Sequence, residues 1–177
     1  SSASFCKMVI SSSIILRNAK ELKINFNLML KNQRKSWQEK LKGNKQLPKI
    51  ITLTQKLEKR WGKGRMVVPS PKEVDAVMRR VPKGKVITIN EIRQKLAKQH
   101  RVALCCPVTT GIFAWIAAHA AKEAMDEGRQ SVTPYWRTLK TGRFLNEKFP
   151  GGISFLKKKL KEEGHQILSH GKKWVVE

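Results

Sequence analysis

The sequence predicts a mainly α-helical protein with small β elements, in which a basic helical extension precedes the folded domain. Three observations lead to this prediction. One helix start is marked by Ser70 before a proline, and another by Thr88 with Glu91 three residues later. A long alanine-rich segment follows these two starts. The stretch at residues 166–176 then alternates between polar and apolar residues, as a small β-hairpin does.

The charge of the chain indicates the class of its partner. The chain carries 37 lysines and arginines against 13 aspartates and glutamates, a formal net charge of +24. Such an excess attracts polyanions, and neutralising nucleic-acid phosphates releases their counterions. The pattern therefore favours nucleic acid, and charge alone leaves an anionic membrane surface as the alternative. Hydrophobic residues make up 40% of the chain, which is enough to bury a core.

The cysteines and histidines do not suggest a disulfide framework or a metal site. The three cysteines are Cys6, Cys105 and Cys106, and an odd count with an adjacent pair fits a reducing compartment. The histidines are not at zinc-binding spacings from them, and there is no glycine-rich phosphate loop. We therefore expect neither a metal nor another cofactor. No apolar run reaches the roughly 18 residues of a membrane span, so we expect no such span. We also expect a monomer and no membrane partner.

The first 30 residues differ from the rest, being rich in serine and poor in acids. They could be a disordered, cleavable targeting segment. The alternative, which we favour, is non-native leader sequence before a start at Met29. The compartment depends on this choice: we expect a nucleoid-associated cytoplasmic protein if the source is bacterial, and an organellar one if the segment is a transit peptide.

Residues 31–69 are predicted to form a basic helical arm. Two short helices are separated by Leu47-Pro48, and the second ends near Trp61. Around this tryptophan the chain carries the cations Lys56, Lys59, Arg60, Lys63 and Arg65. The arm is either a solvated basic surface or a phosphate-binding arm.

Residues 70–177 are predicted to form the domain itself. The first helix places Val74 and Met78 on one face, and a turn at residues 82–85 leads into a β-branched strand. Thr88 caps the second helix. The third helix opens at Pro107, extends to about Met125, and contains many small residues. This third helix is either a buried core helix or the second element of a helix-turn-helix. With a hairpin as the wing, the domain is predicted to be winged helix-turn-helix-like.

The order of four motifs resembles the DNA-binding domain of the alkylguanine-DNA alkyltransferases, also called methylated-DNA–protein-cysteine methyltransferases. Residues 81–92 resemble the opening of that domain, and the small-residue helix lies where the family has its recognition helix. Residues 134–137, Pro-Tyr-Trp-Arg, occupy the place of the family's Pro-Cys-His-Arg. Paired glycines and a basic helix ending at residues 163–165 resemble the closing segment. The resemblance covers about residues 70–168.

The departures from the family determine the expected chemistry. Tyr135 stands at the position of the reactive cysteine, and Trp136 at that of its histidine. A phenol has a pKa near 10 and is a far poorer nucleophile toward alkyl carbon than a thiolate. Arg137 and Glu163 remain at matching positions, but they have no thiol–imidazole pair to serve. We therefore expect no alkyl transfer at this site.

One branch of the family, the alkyltransferase-like proteins, also lacks the cysteine. The resemblance to this branch implies a DNA-repair protein that recognises alkylated or distorted duplex by base flipping, without transfer. It implies double-stranded DNA with O6-alkylguanine lesions as the partner, and downstream repair proteins as further partners. The residues expected to form the lesion pocket are Pro134, Tyr135, Trp136, Arg137, Gly151, Gly152 and Glu163.

The expected DNA contacts lie on the helix-turn-helix and its wing. Ile89 stands where the family has a tyrosine that rotates the target nucleotide, and the intercalating arginine has no clear counterpart. Phe113 or Trp115 could replace that arginine as an apolar wedge. The candidate contacts are Lys83, Lys85, Thr88, Asn90, Arg93, Thr109, Thr110, Phe113, Trp115, Lys140 and Arg143.

Two other functions stay open. The domain could be a general DNA-binding module that does not recognise lesions. It could also be a thiol alkyltransferase that uses Cys105 or Cys106, because both precede a helix N-terminus, where the helix dipole lowers a thiol pKa. The alternative for these two cysteines is that they are small buried hydrophobic residues.

Overall fold

The computed structural model describes residues 35–43 and 46–177. Within this part, Ser36–Glu177 group into one compact unit. The leader predicted for residues 1–30 lies outside the described residues. The described part contains six helices and three small sheets, which confirms the predicted fold class of mainly α structure with small β elements. None of these helices is long and apolar enough to cross a membrane.

The elements are numbered in chain order. The helices are α1 (Trp37–Lys42), α2 (Gln55–Trp61), α3 (Pro71–Arg79), α4 (Ile89–Gln99), α5 (Pro107–Asp126) and α6 (Gly152–Glu162). The strands are β1 (Lys49–Thr52), β2 (Arg65–Val68), β3 (Ile87–Thr88), β4 (Leu104–Cys105), β5 (Thr138–Leu139), β6 (Ile167–His170) and β7 (Lys173–Val176). Short 3-10 turns form at Tyr135–Arg137 and Thr141–Arg143.

Two helix starts predicted from the sequence are confirmed as capping boxes. The Ser70 hydroxyl accepts a hydrogen bond from the Glu73 backbone N–H, and the Glu73 carboxylate accepts one from the Ser70 backbone N–H. Thr88 and Glu91 make the same exchange at the start of α4. Each box satisfies two backbone donors that the helix itself leaves free. α3 and α4 therefore begin where their local sequence dictates.

Helix α5 forms the centre of the domain. It packs against α1, α3 and α4. Its buried face consists of Thr110, Ala114, Ala117, Ala118, Ala120, Ala121 and Ala124. Small side chains allow neighbouring helices to approach closely, so this stretch is a core helix over most of its length. Only its first turns expose large apolar side chains, Val108 at 53% and Ile112 at 49%.

A three-stranded sheet joins residues of the predicted arm to the domain. β1 pairs with β2 in antiparallel register, and β2 pairs with β4 in parallel register. The Cys106 N–H, at the start of α5, donates to the Val67 carbonyl (2.9 Å). The sequence did not predict this sheet, because its strands have only two to four residues and one pairing is not local.

Helix α1, which also lies in the predicted arm, docks on α5. The Glu123 carboxylate accepts hydrogen bonds from the backbone N–H groups of Trp37 (3.3 Å) and Gln38 (2.9 Å). The Trp37 ring stacks on the His119 ring. It also meets the Trp115 ring edge-on, with 4.8 Å between the two ring centroids. The division into an arm at residues 31–69 and a domain from residue 70 remains a prediction. The structure adds that α1 and β2 contact elements of that domain, and that β1 pairs with β2.

Two further pairings position the candidate site. β3 pairs in parallel with β5, which directly follows the turn at Tyr135–Arg137. The predicted hairpin at the end of the chain is confirmed as β6 and β7, paired in antiparallel register. The Leu145 N–H donates to the Trp174 carbonyl (2.8 Å), which holds the segment after β5 against this hairpin.

Candidate nucleic-acid interface

The side chains of Trp136 and Arg137, from the Pro-Tyr-Trp-Arg motif, meet at Glu163. The Arg137 guanidinium donates to both carboxylate oxygens of Glu163, from Nε (2.8 Å to Oε2) and from Nη2 (2.8 Å to Oε1). The Trp136 indole N–H donates to the same carboxylate (2.7 Å). The Gly84 backbone N–H (3.3 Å) is the fourth N–H that donates to this carboxylate, after two from Arg137 and one from Trp136. Arg137 also donates to the Val81 carbonyl (2.6 Å).

This cluster is largely shielded from water. The side chains of Arg137 and Glu163 are 14% and 7% exposed. Burial alone would raise the pKa of Glu163, but the hydrogen bonds from Arg137 and Trp136 outweigh it and lower that pKa. Glu163 is therefore an ionised acceptor whose hydrogen-bonding capacity is taken up by protein donors. The Trp136 indole is a donor only and offers no basic nitrogen.

Tyr135 is fully buried. Its ring lies parallel to that of Phe155 (centroids 6.0 Å apart) and meets Phe149 and Trp136 edge-on. Its hydroxyl donates to the Pro150 carbonyl (3.0 Å). Burial raises the pKa of Tyr135 well above its ordinary value, so the phenol stays neutral.

In this conformation Tyr135 and Pro134 are not exposed in an open pocket, and the lesion-pocket role expected of them stays a prediction. Both residues are buried. The rings of Trp136, Phe149 and Phe155 pack around Tyr135. Gly151 contributes to this packing: it has φ of +83°, and a Cβ there would lie 2.8 Å from atoms of Phe155. Gly152 also has positive φ, but a Cβ there would meet nothing within 4 Å.

The candidate phosphate contacts before and within α4 differ in whether their side chains are already bound within the protein. Lys83 and Lys85 are exposed, and neither makes an ion pair within the described part of the chain. The Arg93 guanidinium donates to the Cys105 carbonyl (3.1 Å) and to the Asn90 side chain (3.2 Å). Thr88 is occupied in the capping box. Lys83 and Lys85 are thus the two of these cations that are free to meet a phosphate.

The candidate contacts on α5 are partly corrected. Thr110 is fully buried, and its hydroxyl donates to the Cys106 carbonyl (2.7 Å), so its proposed contact with DNA is wrong for this conformation. Thr109 and Phe113 are half-buried. Trp115 does not form a free wedge either, because its indole N–H donates to the Lys148 carbonyl (3.0 Å) and its ring packs on α1.

The exposed apolar residues of α5 were not singled out from the sequence. Val108 and Ile112 lie one helical turn apart at its start, and both are about half exposed. Their spacing of four residues, which puts both on one face of a helix, was the sequence signal that could have identified them. If an apolar wedge enters DNA from this helix, these two side chains are the ones at the surface.

Lys140 and Arg143 both bind other groups of the protein near the hairpin. Lys140 forms an ion pair with Glu147 (2.5 Å), and Arg143 donates to the Glu177 carbonyl (2.6 Å). A cleft of about 440 Å³ brings Arg143 together with Lys85. Both candidates therefore border one concave surface, although Glu91 and Glu177 also line it.

The two described cysteines lie away from this cluster, on β4 and at the start of α5. Cys105 is 2% exposed and Cys106 is 6% exposed. Burial raises the pKa of the Cys105 thiol and outweighs its hydrogen bond with the Thr110 hydroxyl (3.3 Å). A buried thiol with a raised pKa is a poor nucleophile. Among the described residues, no group of three His, Cys, Asp or Glu side chains could hold a metal ion.

Comparisons with known proteins give a structural similarity but no sequence match. No protein-family model matches the chain, and no curated protein matches its sequence. A solved structure that matches is the crystal structure of S. pombe Atl1 in complex with damaged DNA containing O6-carboxymethylguanine. It is 19% identical, with a TM-score of 0.40, and the match covers 60% of this chain and 87% of that one. At this level of similarity, the relation to the alkyltransferases remains a resemblance of motifs.

Proposed function

We propose that this chain is a DNA-binding protein of DNA repair that recognises alkylated or distorted duplex by base flipping and leaves the alkyl group on the DNA. The observation that carries the proposal is the cluster around Glu163. Trp136, Arg137 and Glu163 stand in the order of the transferase motifs and contact each other in space. Beside Trp136, the buried and neutral Tyr135 stands at the position of the reactive thiol.

The chemistry of this cluster argues against transfer. Alkyl transfer needs a thiolate and a base that removes its proton. The Tyr135 hydroxyl instead donates to a backbone carbonyl, and the Trp136 indole can only donate. The carboxylate that would orient a base is saturated by four donor groups. The residues therefore support a site that binds and does not react.

Binding to duplex is supported by the charge of the chain and by the position of its free cations. Lys83 and Lys85 precede the strand that leads into α4, so phosphates that bind there lie beside the paired helices α4 and α5. An extruded base can stack on an aromatic ring, and a damaged base costs less to extrude. Because Tyr135 is buried, a base reaches it only if the Phe155 ring or the loop before α6 moves.

A second candidate function is favoured by that same burial. A domain that kept the fold and lost lesion recognition would pack its former pocket with aromatic side chains. The contacts of Tyr135 with Phe149 and Phe155 fit this description. The two functions differ in one property, namely preference for the lesion.

Binding to two short duplexes that differ by one O6-methylguanine separates these functions. We expect the full chain to bind the methylated duplex about ten-fold more tightly, a difference of about 1.4 kcal/mol. The measurement is an equilibrium titration of both duplexes at one moderate salt concentration. Equal affinities would contradict the proposal and leave the general DNA-binding module.

A further inference from the structure

A basic surface separate from the Glu163 cluster lies on the β1–α2–β2 segment. Residues 49–65 contain six cations and one acid, Glu58. We call these six cations the α2 basic patch; they are Lys49, Lys56, Lys59, Arg60, Lys63 and Arg65. All six are exposed, and none makes an ion pair within the described part of the chain.

The patch is held on a defined support. Leu57 and Trp61, one helical turn apart on α2, pack inward against a small core of Leu53, Met66 and Cys106. This inward packing leaves the cations of α2 on the outer side. The same sheet connects the patch to α5, because β2 pairs with β4 and α5 begins two residues after β4 ends.

The structure favours a phosphate backbone over a membrane surface as the partner. A helix that lies in a membrane interface needs an exposed apolar face to insert. The large apolar residues of α2, Leu57 and Trp61, instead face the protein core, and the helix has only seven residues. Exposed lysines and arginines without acidic partners are suited to neutralise phosphates and release counterions. The Arg60 guanidinium lies 5.6 Å from the Trp61 ring centroid, which leaves its donors available.

We propose that the α2 basic patch is a second duplex-DNA contact, independent of base sequence and of the lesion. It binds the phosphate backbone while the α4–α5 region contacts the DNA elsewhere. The choice of DNA as the polyanion rests on the proposed function. The patch itself rests on the exposure, charge and support of residues 49–65.

The test compares two triple variants of the full chain that lose the same charge. The patch variant carries Lys56→Gln, Lys59→Gln and Lys63→Gln. The control carries Lys72→Gln, Lys158→Gln and Lys161→Gln, which are exposed lysines without described ion pairs and outside both proposed contacts. Affinity for an unmodified duplex is measured over a range of salt concentrations. We expect the slope of log affinity against log salt to fall by about three units in the patch variant, about one for each lost phosphate contact. The control should change it by less than about one unit.

Equal slopes for the wild type and the patch variant, or equal losses in the two variants, would overturn the second contact. So would a patch variant that loses binding to phosphatidylserine vesicles while its DNA slope is unchanged. The lesion preference, measured in the same titrations, separates this proposal from the function. A reduced slope without any wild-type lesion preference supports the patch and refutes lesion recognition. An unchanged slope with an intact preference refutes the patch alone.

Discussion

Replacing Glu163 by glutamine should lower the free energy of unfolding by about 3 kcal/mol, as expected when one partner of a buried ion pair is removed. The substitution leaves the Arg137 guanidinium uncompensated at a site where it is 14% exposed. It also places an amide N–H among donors from Trp136 and Gly84. Chemical denaturation of the variant and the wild type measures the difference.

Trp136→Phe is the matched control, because it removes one donor and keeps an aromatic ring. We expect it to cost about 1 kcal/mol. The pH dependence gives a second readout. Because the folded-state pKa of Glu163 is lowered, its stabilisation is present above the unfolded-state pKa of about 4.3 and is lost as the pH falls through the folded value. Wild type should therefore lose more stability on acidification than Glu163→Gln. Parallel pH profiles would show that the carboxylate is not held as the structure indicates.

Removing the Tyr135 ring should lower the free energy of unfolding by at least as much as Glu163→Gln. Tyr135→Ala deletes a fully buried aromatic side chain that packs on Phe149 and Phe155. We expect a loss of about 3–5 kcal/mol, typical of large-to-small substitutions in a core. Thermal and chemical unfolding of the purified variant measure it. A loss below about 1 kcal/mol would mean that the ring is not packed as described.

Tyr135→Phe separates packing from function. It keeps the ring and removes only the hydrogen bond to the Pro150 carbonyl, so we expect a loss of about 1 kcal/mol. If the ring stacks on a flipped base, this variant keeps the preference for the methylated duplex. Tyr135→Leu, which keeps an apolar side chain but no ring, should then reduce that preference.

The parts of the fold that could be predicted from the sequence are those set by local interactions. The starts of α3 and α4 follow from capping boxes, since hydroxyl and carboxylate partners lie within three residues. The same signal was present at Ser36 and Glu39, which begin α1. The docking of α1 could not be predicted from local sequence, because it depends on Glu123, which lies more than 80 residues further along the chain.

The candidate site, too, could be predicted only as far as its motifs, and not in the packing between distant elements. The order of motifs predicted that residues 134–137 and 163 belong together, and the structure brings Trp136, Arg137 and Glu163 into contact. The burial of Tyr135 could not be predicted, because it depends on Phe155 from another element. Thr110 was expected to contact DNA as part of the proposed helix-turn-helix. The side of the helix that faces the core was decided by packing against α3 and α4.

The central claim is that this site binds damaged DNA and does not accept its alkyl group. The most direct test incubates the full chain with an excess of duplex containing one O6-methylguanine, under conditions where binding is saturated, and measures the intact mass of the protein. The account predicts an unchanged protein mass and a methyl group that remains on the DNA. A gain of one methyl group by the protein would contradict the account, and mapping it to Tyr135, Cys105 or Cys106 would identify the nucleophile.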